Sequence, residues 1–254
     1  QRRSRKWGIF FKLLLFIYLF ALLFIGVGWF GKKDLSPGKH TALVELSGVI
    51  SANTTASAEN VMAGLQDAFK DKRTQGVILR INSPGGSPVQ AGHINDEIRR
   101  LRAKYPDIPI YAVVEDICAS GGYYVAVATD RIYVDKASII GSIGVLMDGF
   151  GFTGAMEKLG IERRLLAAGE NKGFLDPFSP ILESQKEHAE QLLNQIHQQF
   201  ISVVRQGRGK RLKETPETFS GLLWVGQKSI ELGRADAIGS VDYVAREVIK
   251  AEDI

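Results

Sequence analysis

Residues 109–135 read PIYAVVEDICASGGYYVAVATDRIYVD. The apolar run at 109–115 reads as a strand. Ser120, Gly121 and Gly122 interrupt the pattern, the small residues after them suit a short helix, and RIYVD at 131–135 reads as another strand. Two strands joined through a helix form a parallel unit, because a parallel return needs a crossover.

The same alternation extends on both sides. TALVELSGVI, 41–50, alternates apolar and polar residues and predicts a strand. Helical spacing of Val61, Leu65 and Phe69 predicts a helix over 58–69. GVILRIN, 76–82, predicts a buried strand, and 89–105 a helix ended by Pro106. Further on, SIGVLM at 142–147 and IERRLLAAG from 161 predict strands. GAMEKLG, 154–160, predicts a short helix with Gly160 as its C-cap. Residues 184–206 form a long amphipathic helix pattern, and 225–233 a last helix. The fold class is α/β with largely parallel strands, in one domain without internal repeats.

The 254 residues, 45% hydrophobic and 24% charged, exclude a disordered chain. Of 32 basic and 28 acidic residues, positions 1–40 hold eight of the former and only Asp34 of the latter. The basic balance therefore belongs to the N-terminus and the remainder is slightly acidic, which disfavours nucleic acid as a partner. Cys118 is the only cysteine, so no intrachain disulfide can form. His40, His93, His188 and His197 show no metal-ligand spacing, and neither a metal nor a cofactor is expected.

LLLFIYLFALLFIGVGWF, 13–30, is an uncharged apolar run of about the minimum length for a bilayer-spanning helix. A basic flank, 1–12, precedes it, and a polar linker, 31–40, comes after it. The run lacks a clean signal-cleavage site at its end. We expect an uncleaved single-pass anchor with its N-terminus in the cytoplasm and the body, 41–254, on the extracytoplasmic side.

Ser120 needs a group to remove its proton before it can attack a carbonyl. None of the histidines has a distinctive neighbourhood. A lysine in an apolar setting can act instead, and Lys172 stands beside Gly173, Phe174 and Leu175. Alone it reads as an ordinary loop lysine. INSPGGSP, 81–88, ends a strand with a glycine turn whose amides can face outward and hold an oxyanion. Neither phosphate-binding glycine pattern is present.

Together NSPGGS, ASGGYYVAVATDRIYVD, GSIGVL, GENKGFLDPF and WVGQKSIELGRADAIG, in that order, resemble the signal peptide peptidase A family in its short, single-domain form. The likeness covers about residues 41–245. It implies a ClpP/crotonase-like fold of repeated ββα units behind one N-terminal transmembrane helix in the bacterial inner (cytoplasmic) membrane, with the body on the periplasmic face. It also implies a Ser/Lys endopeptidase acting on apolar peptides such as remnant signal peptides, in a homo-oligomer whose active sites are shared between subunits. Residue by residue, Ser120 matches the nucleophile, Lys172 the general base, Gly86 and the Gly121 amide the oxyanion donors, and Ser142 a serine that orients the lysine. Cys118 stands where a small residue is expected and reads as packing. Arg234 occupies a usually apolar position, where it would be solvated at a rim or would weaken helix packing. Two other readings share the fold: a non-catalytic membrane scaffold, and an acyl-CoA crotonase. The joint presence of Ser120, Lys172, Ser142 and both glycines weighs against the scaffold. The anchor and the Ser/Lys pair weigh against the crotonase.

Overall fold

The computed structural model describes residues 12–23 and 38–251. Residues 12–23 form helix α1, with its side chains exposed. Among the described residues no helix is long and apolar enough to cross a membrane. The expected anchor continues through 24–30, which lies outside the described residues, as do 1–11 of the basic flank and 31–37 of the linker.

From residue 40 strand and helix alternate: β1 (His40–Ser47), α2 (Ala58–Lys70), β2 (Thr74–Ser83), α3 (Pro88–Lys104), β3 (Ile110–Ala119), α4 (Gly121–Ala126) and β4 (Arg131–Val134). The running unit here is β–α, because each return to a parallel neighbour needs a crossover. Only β4 and β5 (Ile139–Gly141) succeed one another without a helix. Then come α5 (Thr153–Lys158), α6 (Glu183–Arg208), β6 (Leu223–Val225), α7 (Gly226–Glu231), β7 (Ala237–Ile238), α8 (Val241–Tyr243) and a helical turn, Val244–Ile249.

Local chemistry sets several boundaries. The Ser57 and Ser87 hydroxyls accept from the amides of Asn60 and Gln90, capping α2 and α3, and Pro88 fills the first turn of α3 where no amide is needed. Val61, Leu65 and Phe69 of α2 are buried, each such side chain contributing about 1.5–3 kcal/mol relative to exposure. In β2, Val77, Leu79 and Ile81 face the main core beside α2 and α3 residues, while Ile78 belongs to a second cluster with Val113, Tyr133, Val244 and Ala245. Both sheet faces are therefore covered, as parallel strands require.

The sheet order is β1-β2-β3-β4-β7, all parallel. β3 changes neighbours along its length. Tyr111–Val113 pairs with β4, and Ile117–Ala119 pairs with β5, on which β6 lies antiparallel. Against β2 the register also shifts, with Ile81 opposite Val114 but Ser83 opposite Cys118. This is a bulge, which bends β3 and re-aims its C-terminal end. The Asn82 side chain fills it, donating to Asp116 at 2.9 Å and accepting from the Ile117 amide at 3.3 Å.

Two expected strands are absent. Residues 142–147 and 161–167 run without a strand ladder, and Leu166 is 97% exposed. Alternating apolar residues describe a surface that wants covering; a strand also needs a neighbouring backbone, and the chain offers none there.

Candidate active site

Ser120 ends β3 at φ 50° and ψ −119°, a conformation sparsely used by residues other than glycine. Its amide donates to the Gly141 carbonyl at 2.9 Å, and its carbonyl accepts from the Tyr124 amide at 2.9 Å, starting α4. The bulged strand thus delivers the serine to a turn fixed on both sides.

The glycine turn after β2 lies against it. Gly85 and Gly86 have φ of 99° and 148°. Ile50 holds the turn, its amide donating to Gly85 and its carbonyl accepting from Ser87, both at 2.8 Å. A Cβ on Gly86 would lie 2.2 Å from the Ile50 oxygen, and one on Gly85 2.6 Å from the Gly121 nitrogen. A Cβ on Gly121 would lie 3.3 Å from the Gly86 nitrogen, so these two amides are near neighbours. Neither donates a hydrogen bond to another described residue. An unpaired amide pair beside a serine hydroxyl can receive a developing oxyanion. α4, with only six residues, adds a small dipole.

Ser120, Gly86 and Gly121 line one cavity of about 510 Å³. Ser142 lines it too, at φ 52°, with its amide donating to the Leu222 carbonyl at 2.8 Å. The apolar wall comes from Pro88 and Ala91 of α3, Tyr124 of α4, Leu146, and Ile196 and Phe200 of α6. The rings of Tyr124 and Phe200 pack 5.2 Å apart. Burial raises the Tyr124 phenol above its ordinary value. Sequence reasoning did not find this wall. The apolar stripe of α6 was legible, but which part of it would meet α4 was not.

Lys172 lies apart. It is exposed in a turn, its amide donating to the Gly169 carbonyl at 3.1 Å, and it is not among the residues lining the serine cavity. Within one chain the structure brings together Ser120, Gly86, Gly121 and Ser142, and leaves Lys172 out. His197 bonds the Ile143 carbonyl at 3.1 Å, next to Ser142, without lining the cavity. Cys118 is fully buried, and burial pushes its thiol well above the ordinary range, which leaves it unreactive.

Of the two expectations for Arg234, the solvated rim needs correction. The arginine is neither solvated nor at a rim, but 0% exposed, with its guanidinium carbon 3.5 Å from the Trp224 ring centre. A planar cation can replace an apolar side chain where an aromatic face receives it.

The sequence profile of peptidase family S49 matches residues 102–254, which include Ser120, Ser142 and Lys172 but not Gly86. The chain is 41% identical over 196 residues to "Na(+)/H(+) antiporter NhaA" of Brucella melitensis, covering 77% of this chain and 26% of that protein. It is 31% identical over 181 residues to "Putative signal peptide peptidase SppA" of Enterococcus faecium, covering 71% and 52%. It is 27% identical over 217 residues to "Protease 4" of Haemophilus influenzae, covering 84% and 34%. The chain thus spans between a quarter and about half the length of these relatives, and the small share of the antiporter does not carry that name's activity to it.

Proposed function

The chain belongs to peptidase family S49, and on that footing we propose that it is a membrane-anchored serine endopeptidase with a Ser120/Lys172 dyad. The observation that carries the reading is the meeting, in one apolar-walled cavity, of Ser120 and the unpaired amides of Gly86 and Gly121. In the proposed reaction Lys172 takes the Ser120 proton as Oγ attacks the scissile carbonyl. The Gly86 and Gly121 amides receive the oxyanion, and Ser142 orients the lysine. Collapse expels the amine, which takes up the proton, and leaves an acyl-enzyme. Water activated by the same lysine then hydrolyses the ester. The apolar wall suits apolar peptides, remnant signal peptides among them. The apolar run at 13–30 would hold the enzyme at the inner membrane, with the body on the periplasmic side.

A lysine base needs an apolar enclosure, and Lys172 is exposed in the single chain. We therefore assign the base of each site to a neighbouring copy in a homo-oligomer. The stretches without strand pairing at 142–147 and 161–167, with exposed Leu146, Met147 and Leu166, offer apolar surface for such contacts. Digestion of a synthetic signal peptide tests the reaction: wild type should cleave it, and Ser120→Ala and Lys172→Ala should not. Cleavage by folded Ser120→Ala would overturn the assignment and favour another nucleophile. Mixing the two inactive variants, with exchange tracked by an independent label, should restore partial activity. A mixture that exchanges and stays inactive would return the dyad to one chain.

A further inference from the structure

Arg234 is a charged side chain in the core without a carboxylate partner among the described residues. Arg208, the other fully enclosed arginine, has Asp236. Among the described residues the only side-chain hydrogen bond of Arg234 runs from Nη2 to the Thr218 carbonyl at a long 3.4 Å, and Nε and Nη1 have no hydrogen-bond partner. Burial pulls its guanidinium below its ordinary value. Such a group opposes stability, since an apolar residue of similar size would occupy the site without a desolvation cost.

What Arg234 touches lies around the nucleophile from two sides. Its guanidinium stacks on Trp224 of β6. Trp224 stands opposite Ile140 of β5, and its ring edge would be 3.0 Å from a Cβ on Gly141, so it packs directly on the Gly141 backbone. The Gly141 carbonyl receives the Ser120 amide, and the Leu222 carbonyl, just before β6, receives the Ser142 amide. On the other side, the Arg234 carbonyl accepts from the buried Tyr123 hydroxyl at 2.9 Å. Tyr123 stands three residues after Ser120, in the first turn of α4.

We propose that Arg234 is a positioning residue, whose side chain holds the Ser120 turn and Ser142 in productive geometry through Trp224, while its main-chain carbonyl anchors Tyr123 whatever side chain it carries. The inference rests on Ser120 being the nucleophile, as proposed above. Ser120 and Ser142 both sit at positive φ, and a strained turn keeps its geometry only while its surroundings over-determine it. Without the guanidinium plane Trp224 can tilt, Gly141 can shift, and the serine hydroxyl leaves the line of the two amides.

The test uses the full chain as wild type, Arg234→Leu, Trp224→Leu and the double variant. It reads kcat and KM on a synthetic signal peptide, the rate at which a fluorophosphonate probe labels Ser120, and Tm. Arg234→Leu should keep or raise Tm, while kcat and labelling fall by on the order of 100-fold with KM little changed. A merely structural role would instead move activity and Tm together. Trp224→Leu should show the same fall, and the double variant should be no worse than either single change, because the residues act through one route. Wild-type kcat and labelling in folded Arg234→Leu would overturn the proposal, as would additive losses. If Arg234→Leu does not fold, Trp224→Leu decides, and wild-type labelling there is the overturning result. Failure of the parent reading looks different: wild type would go unlabelled at Ser120, and Ser120→Ala would still cleave the peptide.

Discussion

At Ser120 the backbone conformation and the chemistry oppose each other. The residue sits at φ 50°, ψ −119°, a region that costs a non-glycine residue about 1–3 kcal/mol. Ser120→Gly should therefore unfold at higher denaturant than wild type, by about 1 kcal/mol after the flexibility that glycine adds to the unfolded chain, and should be inactive. Ser120→Ala keeps the strain and should gain no comparable stability. Urea midpoints of the three proteins check this. The tight turn at Ser120 was legible because small residues and glycines crowd it, a local signal. Arg234 was misplaced because a sequence states a charge and not its surroundings. What makes the site habitable is the Trp224 ring, brought over it by the β5–β6 pairing. Lys172 was selected by its motif, and one chain leaves it exposed.

Among the elements, period alone was enough where an element buries a face of its own chain. α2, α3 and α6 lie within a few residues of their predicted bounds, and Gly160 ends α5 at φ 66° as a C-cap glycine should. Period misled at 142–147 and 161–167, where the apolar residues are present and the neighbouring strand is not. The bulge in β3 left no sequence signal, because it depends on the register against β2. The glycine turn after β2 carries the next expectation. At Gly86 a Cβ would meet the Ile50 carbonyl at 2.2 Å, on a backbone with φ 148°. Gly86→Ala should therefore lose more than about 1 kcal/mol of stability, with peptidase activity abolished. Urea melts beside the peptide assay would read both, and an unchanged midpoint would contradict the close approach.

Across the whole molecule, the end of α6 and the turn after it are tied to the sheet through Asp236, which Arg211 reaches at 3.2 Å and Arg208 holds more closely. Arg208 donates to both Asp236 oxygens at 2.8 and 2.9 Å and to the Gly233 carbonyl at 2.8 Å. Burial alone would raise the Asp236 carboxyl, but the Arg208 hydrogen bonds and charge hold it below its ordinary value. A carboxyl lowered in the folded state adds stability that is complete above its ordinary value of 3.8 and is lost as pH falls through the lowered one. Acid should therefore destabilise wild type in that window. Asp236→Asn should have a flatter acid limb there and, by leaving Arg208 buried and unpaired, be less stable at neutral pH by about 3–5 kcal/mol. Thermal melts from pH 7 to pH 2 test both. The change of neighbours along β3 has a further consequence, in the exchange of backbone protons with solvent. Tyr111–Val113 lies between β2 and β4 in the central sheet, whereas Ile117–Ala119 keeps only the Ser83–Cys118 pairing on the β2 side of the bulge and on the other side meets β5, itself backed only by the short β6. Deuterium should enter the first segment only through global unfolding and the second through a smaller, cheaper opening. One strand would then show two protection classes, the less protected one leading into Ser120, so that turn can breathe while the domain beneath it stays closed.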